Sequence, residues 1–554
     1  MRGPVRARCG ATHVRPAWPL RAPVSFGLLI EPVIGLLIGL SCGWLLPSVA
    51  AAASAEPLRD CRIPGLKNSV RCGSVPRALD PSRPEGPRIA VHYVVIPALA
   101  RRRLGDPVFL LAGGPGQSAI ALAGPAMGLL QRLGNRRDLV FVDQRGTGES
   151  APLYCDESRR LPLAEQAEPE RQVQRLEACR RLLQSLPHGD LRFYTTPLAM
   201  QDLDAVREAL GAEQINLVGA SYGTRAALDY QRQFPARVRR LVLDGVAPAD
   251  MALPASSGLD SQAALDALFE DCDAQPACAA AHPKLRQVWT DLLAALPQRT
   301  QIAHPVTGDI EGFSVTRDML LASVRAPLYN PALAAALPEA IAHASQGRFA
   351  PLLGLNSVQG VRKATRIAEG MHFSVLCAED FPRLGSAPVL ARDFGDSTQR
   401  SVKRICADWP RGDVAPAYYE VTPSRAPALL LSGGLDPATP PRHGARVAAA
   451  LGANARHVVV PNAGHGVLGI GCMRDVLYRF IDATSDADAL AVDPGCVVSI
   501  PRPLPFQPTS QGNARPPEVS LTPRATKGPL RGPWGGRRMS SAWGRSPASA
   551  ARPG

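Results

Sequence analysis

A short apolar run, Ile215–Val218 (INLV), leads directly into Gly219-Ala220-Ser221-Tyr222-Gly223 and then into a helical stretch, Thr224–Phe234 (TRAALDYQRQF). A strand that becomes a helix over so few residues must bend sharply, which forces Ser221 into a strained backbone conformation. Glycines on either side avoid conflict between strand and helix, and the helix N-terminus turns free N–H groups and its positive dipole end toward the serine. With 49 Gly in 554 residues, a G-x-S-x-G match by itself carries little weight. Its position between a strand and a helix carries much more. A glycine-rich turn with an ordinary serine cap would explain the bend, but not the residues that follow downstream.

Other strand-like runs lie along the chain: Ile89–Pro97, Pro107–Leu111, Asp138–Val142, Val238–Leu243, Ala428–Leu431 and His457–Val460. Short, nearly continuous apolar strands separated by helical stretches such as Met200–Leu210 indicate an α/β fold, with a mostly parallel central sheet covered on both faces. The stretch 250–425 differs. It is rich in Ala and Leu, with helical candidates at Leu259–Cys272, Pro283–Leu296 and Pro331–Gln346 and few strand signals. It reads as a helical lid inserted into the strand series. The expected organisation is a signal peptide at 1–55, core at 56–249, lid at 250–425, core again at 426–500, and a disordered Pro/Gly/Arg-rich tail at 501–554.

A serine hydroxyl needs a base, and the base needs an orienting acid. On a sheet of this kind both should follow later strands, in the order serine, acid, histidine. Ala428–Leu431 is followed by Ser432-Gly433-Gly434-Leu435-Asp436, and His457–Val460 by Pro461-Asn462-Ala463-Gly464-His465. Ser221, Asp436 and His465 are therefore the expected catalytic residues. The oxyanion of a tetrahedral intermediate needs donors. The N–H of Tyr222 is one. The second should come from Ala112-Gly113-Gly114-Pro115-Gly116, with Gly114 favoured and Gly113 and Gly116 as alternatives. No Gly-Lys-Ser/Thr follows these glycines, which argues against a phosphate cradle. No C-x2-C or H-E-x-x-H spacing suggests a metal, and the chemistry calls for no cofactor. Arg145, in Asp143-Gln144-Arg145-Gly146, is read as holding neighbouring loops through charge-assisted hydrogen bonds.

The net charge of +14 is concentrated at the ends. Residues 1–55 carry +4 and residues 501–554 carry +8, so the body is left with +2 and gives no reason to expect a nucleic-acid partner. Near the N-terminus a basic region precedes Val33–Leu46 (VIGLLIGLSCGWLL), and Ala53-Ser54-Ala55 supplies a small-residue cleavage site. This describes a secretory signal. The apolar run is short of the roughly 20 residues of a membrane span, and Glu31-Pro32 blocks its extension, so no stable span is expected after cleavage. Ten cysteines lie beyond the signal in sequence-near couples: Cys61/Cys72, Cys155/Cys179, Cys272/Cys278, Cys377/Cys406 and Cys472/Cys496. Pairing by proximity suggests up to five disulfides and a secreted or periplasmic location.

Taken together, these segments resemble the α/β-hydrolase fold. More narrowly, they are similar to secreted bacterial tripeptidyl aminopeptidases and related prolyl aminopeptidases of the serine peptidase type. The matching stretches are RCGSVP at 71–76, GGPGQS at 113–118, DQRGTG at 143–148, GASYG at 219–223, GGLDPATP at 433–440 and NAGHG at 462–466, together with Cys272, Cys278 and HFSVLCAED at 372–380. Prolyl aminopeptidases generally place His before Gly-Gly-Pro-Gly. Ala112 stands there in this chain, which favours the tripeptidyl branch. The resemblance implies release of short peptides, tripeptides in that branch, from peptide substrates with a free N-terminus. An exopeptidase must also bind the substrate ammonium, and Glu379 and Asp380 are candidates, with a solvated pair or a local structural role as equal alternatives. Two other readings use the same residues: a carboxylesterase or lipase-like hydrolase with the same triad, and a binding protein that kept only the scaffold. The oligomeric state is not legible.

Overall fold

Apolar alternation and short buried runs become eleven strands in the computed structural model, which describes residues 57–156, 158–358, 366–385 and 391–506. In chain order the strands are β1 (Arg59–Cys61), β2 (Val70–Ala78), β3 (Arg88–Ile96), β4 (Val108–Leu111), β5 (Leu139–Val142), β6 (Ile215–Ala220), β7 (Val238–Asp244), β8 (Gln298–Ala303), β9 (Ile310–Val315), β10 (Ala428–Gly433) and β11 (Ala455–Val460). Nine of them form one sheet in the order β1-β2-β3-β5-β4-β6-β7-β10-β11. β1, β2, β3 and β5 pair antiparallel, and every later neighbour pair is parallel. Helices cover both faces, so β4 and β5 are buried at every position and read as continuous apolar runs.

The seven runs expected from sequence are all strands. β1 and β2 were not anticipated, because Gly73 and Pro76 interrupt β2 and leave it without an apolar run. The hairpin β8–β9 also escaped the reading of 250–425 as helical. Its register pairs Gln298 with Val315 and Ala303 with Ile310, and it is largely exposed, so polar residues occupy most of β8. The helix expected over Pro331–Gln346 is two, Pro331–Ala334 and Leu337–Ser345, with Pro338 in the first turn of the second, where its missing N–H costs no hydrogen bond.

β7 and β10 are adjacent and parallel, so the intervening 245–427 is an insertion between neighbouring strands. Much of it has a core of its own, including Leu265, Phe269, Trp289, Leu320, Val324 and Phe349. Leu163 and Ala167 join that core, although they lie between β5 and β6. The start of the C-terminal segment also reaches the insertion. Arg502 pairs with Asp271 at 3.1 Å, and the Phe506 N–H donates to Ala335 O at 2.8 Å. The signal expected at 1–55 and residues 507–554 of the expected tail lie outside the described residues. All five cysteine couples are disulfides, with Cα–Cα separations of 5.0–6.4 Å. Among the described residues, no helix is long and apolar enough to cross a membrane.

Candidate active site

β6 ends at Ala220, and the next helix begins at Tyr222, which leaves Ser221 alone at the bend. Its backbone lies at φ 56° and ψ −123°, a conformation a side-chain-bearing residue adopts only under constraint. The flanking glycines are required by close packing. A Cβ on Gly219 would stand 2.4 Å from Gly223 O, and one on Gly223 would stand 2.2 Å from Leu111 O at the end of β4. The Ser221 N–H donates to Asp244 O at 2.8 Å, pinning the bend to the end of β7. Tyr222 opens the helix, so its N–H has no acceptor in a preceding turn.

Asp436 and His465 follow β10 and β11 at the same edge of the sheet. Asp436 Oδ1 accepts from the N–H groups of Ala438 (2.8 Å) and Thr439 (2.9 Å), and Oδ2 accepts from Thr439 Oγ1 (2.8 Å). The carboxylate is thereby fixed with Oδ2 at 2.8 Å from His465 Nδ1. Burial pushes Asp436 upward, but the charge and hydrogen bond of His465 outweigh it and hold the carboxyl below its usual range. On His465 burial disfavours the charged ring, yet Asp436 raises its pKa above the ordinary value. Gly245 (φ +69°) makes room for the ring, since a Cβ there would lie 3.2 Å from His465 Cε1.

Two partners of the histidine loop were not anticipated from sequence. Asp244 is buried, and its carboxylate accepts from Val467 N–H (2.8 and 3.0 Å) and Leu468 N–H (3.0 Å), tying the loop after His465 to the strand that also holds Ser221. Burial raises its pKa, with the two amides opposing. Tyr329, from the insertion, accepts the His465 N–H at 2.9 Å and sets its ring edge-on to the imidazole at 5.1 Å. An acidic residue closing an apolar strand is a weak signal, and Tyr329 is distant in sequence, so neither was legible.

Ser221, Tyr222, Gly114 and Thr439 share the wall of one cavity of about 380 Å³, with the core on one side and the insertion on the other. Of the expected oxyanion-loop glycines, Gly114 faces this cavity, whereas Gly116 O accepts from Ala368 N–H in the insertion at 2.9 Å. Gly113 lies closest to the serine, and a Cβ there would be 3.2 Å from Ser221 Cβ. The cavity size suits a small substrate.

The chain matches the α/β-hydrolase fold family over residues 106–470, about two thirds of its length. The chain belongs to the α/β-hydrolase family. Relatives within this fold include the serine protease Hip1 of Mycobacterium tuberculosis, 28% identical over 425 residues that cover 70% of this chain and 79% of that protein. A tripeptidyl aminopeptidase of Streptomyces coelicolor is 30% identical over 249 residues, covering 41% and 45%. Carboxylesterase B of Mycobacterium tuberculosis is 27% identical over 476 residues, covering 78% and 87%. The chain is accordingly a serine hydrolase of this fold.

In this α/β hydrolase Glu379 and Asp380 do not face the cleft. Both are buried on a π-helical turn, Leu376–Asp380. Asp380 takes Arg225, on the helix after Ser221, through two hydrogen bonds of 3.0 and 3.1 Å, and accepts from Leu253 N–H at 2.8 Å. Glu379 accepts from Thr196 N–H at 2.6 Å, from Thr196 Oγ1 at 3.0 Å and from the Tyr418 hydroxyl. Thr196 in turn meets Tyr222 OH at 2.7 Å. Their oxygens are committed to tying the insertion to Arg225 and Thr196 of the core, which is the local structural role and not ammonium binding. Arg145 matches its structural reading. It is buried against Asp202 (2.7 and 2.9 Å) and donates to the carbonyls of Leu79 and Phe193.

Burial pushes Glu379 up to about 7 against the opposing charge of Arg225. The folded protein therefore keeps a proton that the unfolded chain releases near the ordinary carboxylate value, and stability should fall as pH rises from about 4.5 to 7. Glu379→Gln removes this titration. Thermal unfolding of both proteins across that window should show a shallower fall for the variant, and equal slopes would contradict the assignment.

Proposed function

We propose that this α/β hydrolase is an exported serine exopeptidase that releases short peptides, tripeptides in particular, from free N-termini. In the mechanism, His465, oriented by Asp436, takes the Ser221 proton as Oγ attacks the scissile carbonyl. The N–H groups of Tyr222 and Gly114 stabilise the oxyanion. His465 then protonates the departing amine as the C–N bond breaks, and water hydrolyses the ester left on Ser221. The names of the Hip1 and tripeptidyl aminopeptidase relatives support peptide chemistry. The five disulfides are compatible with export.

The observation that carries the exopeptidase reading is the shape of the cleft. From Ser221 an apolar wall runs along Val173 and Leu176 of the core and Phe373, Leu376, Val402 and Ile405 of the insertion, which would act as a lid. The cavity then adjoins a second one of about 440 Å³, with Pro169, Gln172, Thr398 and Ser401 common to both. Glu165 and Asp318 line this second cavity and offer carboxylates to a substrate ammonium. Arg171 and Arg175 line it too, but Arg171 pairs with Glu168, and Arg175 donates to Asp156 O. A substrate anchored there by its N-terminus would have only a few residues before the bond at Ser221.

Mass spectrometry of products from a ladder of unblocked peptides should show loss of three residues from the N-terminus. N-acetylation, which removes the ammonium, should lower kcat/KM at least about tenfold, the weight of a charge-assisted hydrogen bond. The carboxylesterase B relative favours a second reading, an ester hydrolase with the same triad. Indifference to acetylation, or turnover of esters without peptides, would select it.

A further inference from the structure

Arg325 belongs to the helix Arg317–Leu328 of the insertion and stands in the wall of the Ser221 cleft. Its Nε donates to Ser261 Oγ at 3.0 Å, and one terminal nitrogen meets Tyr329 OH at 3.0 Å. Both partners are neutral hydroxyls. Among the described residues no carboxylate lies within 4.0 Å of this guanidinium, whereas the buried Arg137, Arg145, Arg207, Arg225 and Arg240 each have one. Asp396 shares a small neighbouring cavity with Arg325 but is engaged by Arg400. A half-buried cation held in place by two hydroxyls, with donors to spare, is arranged to receive an anion.

Its position indicates which part of a substrate that anion belongs to. Tyr329, the hydrogen-bond partner of Arg325, packs edge-on against His465, and the charge of Arg325 is felt at that imidazole. In an acyl transfer the histidine protonates the departing amine, so groups flanking it border the leaving fragment. The carboxylates Glu165 and Asp318 belong to the cavity beyond the apolar wall. The far cavity thus carries charges of both signs, whereas among the described residues lining the cleft at Ser221 the one Arg or Lys is Arg325.

We propose that Arg325 forms a carboxylate-binding subsite for the leaving fragment, so that the preferred substrates are short peptides whose free C-terminal carboxylate follows soon after the scissile bond. This rests on the serine peptidase reading above. Planar guanidinium and carboxylate groups pair through two parallel hydrogen bonds, which a neutral amide in the same place does not reproduce.

The test uses the full chain and two tetrapeptides differing only at the C-terminus, Ala-Ala-Phe-Gly and its glycinamide, with a tripeptidyl anilide as a control lacking any carboxylate. The wild type should favour the acid over the amide by about tenfold or more in kcat/KM. Arg325→Met should bring that ratio close to one, and Arg325→Lys should restore part of it. A wild-type ratio near one, or a ratio that survives in Arg325→Met, would overturn the subsite while Ser221-dependent anilide hydrolysis leaves the peptidase reading intact. Absence of anilide and peptide hydrolysis altogether would overturn that reading, and the subsite with it.

Discussion

Ser221→Ala is expected to leave the fold intact and lower hydrolysis by at least about 10³-fold, as loss of a nucleophile does when the remaining donors still bind substrate. The fold should tolerate the change because what holds this bend is backbone. The 221 N–H donates to Asp244 O, and the Thr224 N–H and Oγ1 both reach Ser221 O. None of these contacts uses the serine hydroxyl. An unchanged melting temperature together with lost turnover of a tripeptidyl anilide is the expected pair of readings. Retained turnover would locate the chemistry elsewhere in the cleft.

Asp436→Asn should be nearly as damaging, by about 10³–10⁴-fold in kcat, and should also shift the pH profile. Asp436 raises the pKa of His465 against the effect of burial. In the wild type the base must be neutral, so kcat/KM should rise with pH through a value above the ordinary histidine pKa. With the carboxylate replaced by an amide, burial loses its main opponent and only the charge of Asp244 still raises the ring. The residual activity should then begin to rise at lower pH than in the wild type. A structural role alone would lower the amount of folded enzyme without moving this limb. The profile therefore separates an orienting acid from a residue that merely secures the Pro437–Thr439 turn.

How much of this was legible in sequence differs from residue to residue. The seven runs declared themselves because strands buried on both faces, such as β4, β5 and β10, admit only apolar side chains at most positions, and Ser221, Asp436 and His465 each stand just past one of the seven. Strands without an apolar run did not. β8 (QRTQIA) is mainly polar and is held by pairing with β9. The supporting residues were also hidden, for a different reason. Thr439, Asp244 and Tyr329 act through contacts with His465 or its loop, and those contacts exist only once β7, β10 and the insertion are side by side. Glu379 and Asp380 show the reverse case. Two adjacent acids left an ammonium site, a solvated pair and a local structural role all open, and Arg225 with Thr196 and Tyr418 turns them into the interior.

Active-site labelling with a fluorophosphonate, followed by tryptic peptide mapping, tests most directly whether the serine at the end of β6 is the nucleophile. A single adduct on the peptide Glu208–Arg225, assigned to Ser221 and growing in step with the loss of hydrolysis, is the predicted result. Complete inactivation with the adduct on another residue, or full activity in protein quantitatively modified at Ser221, would contradict it.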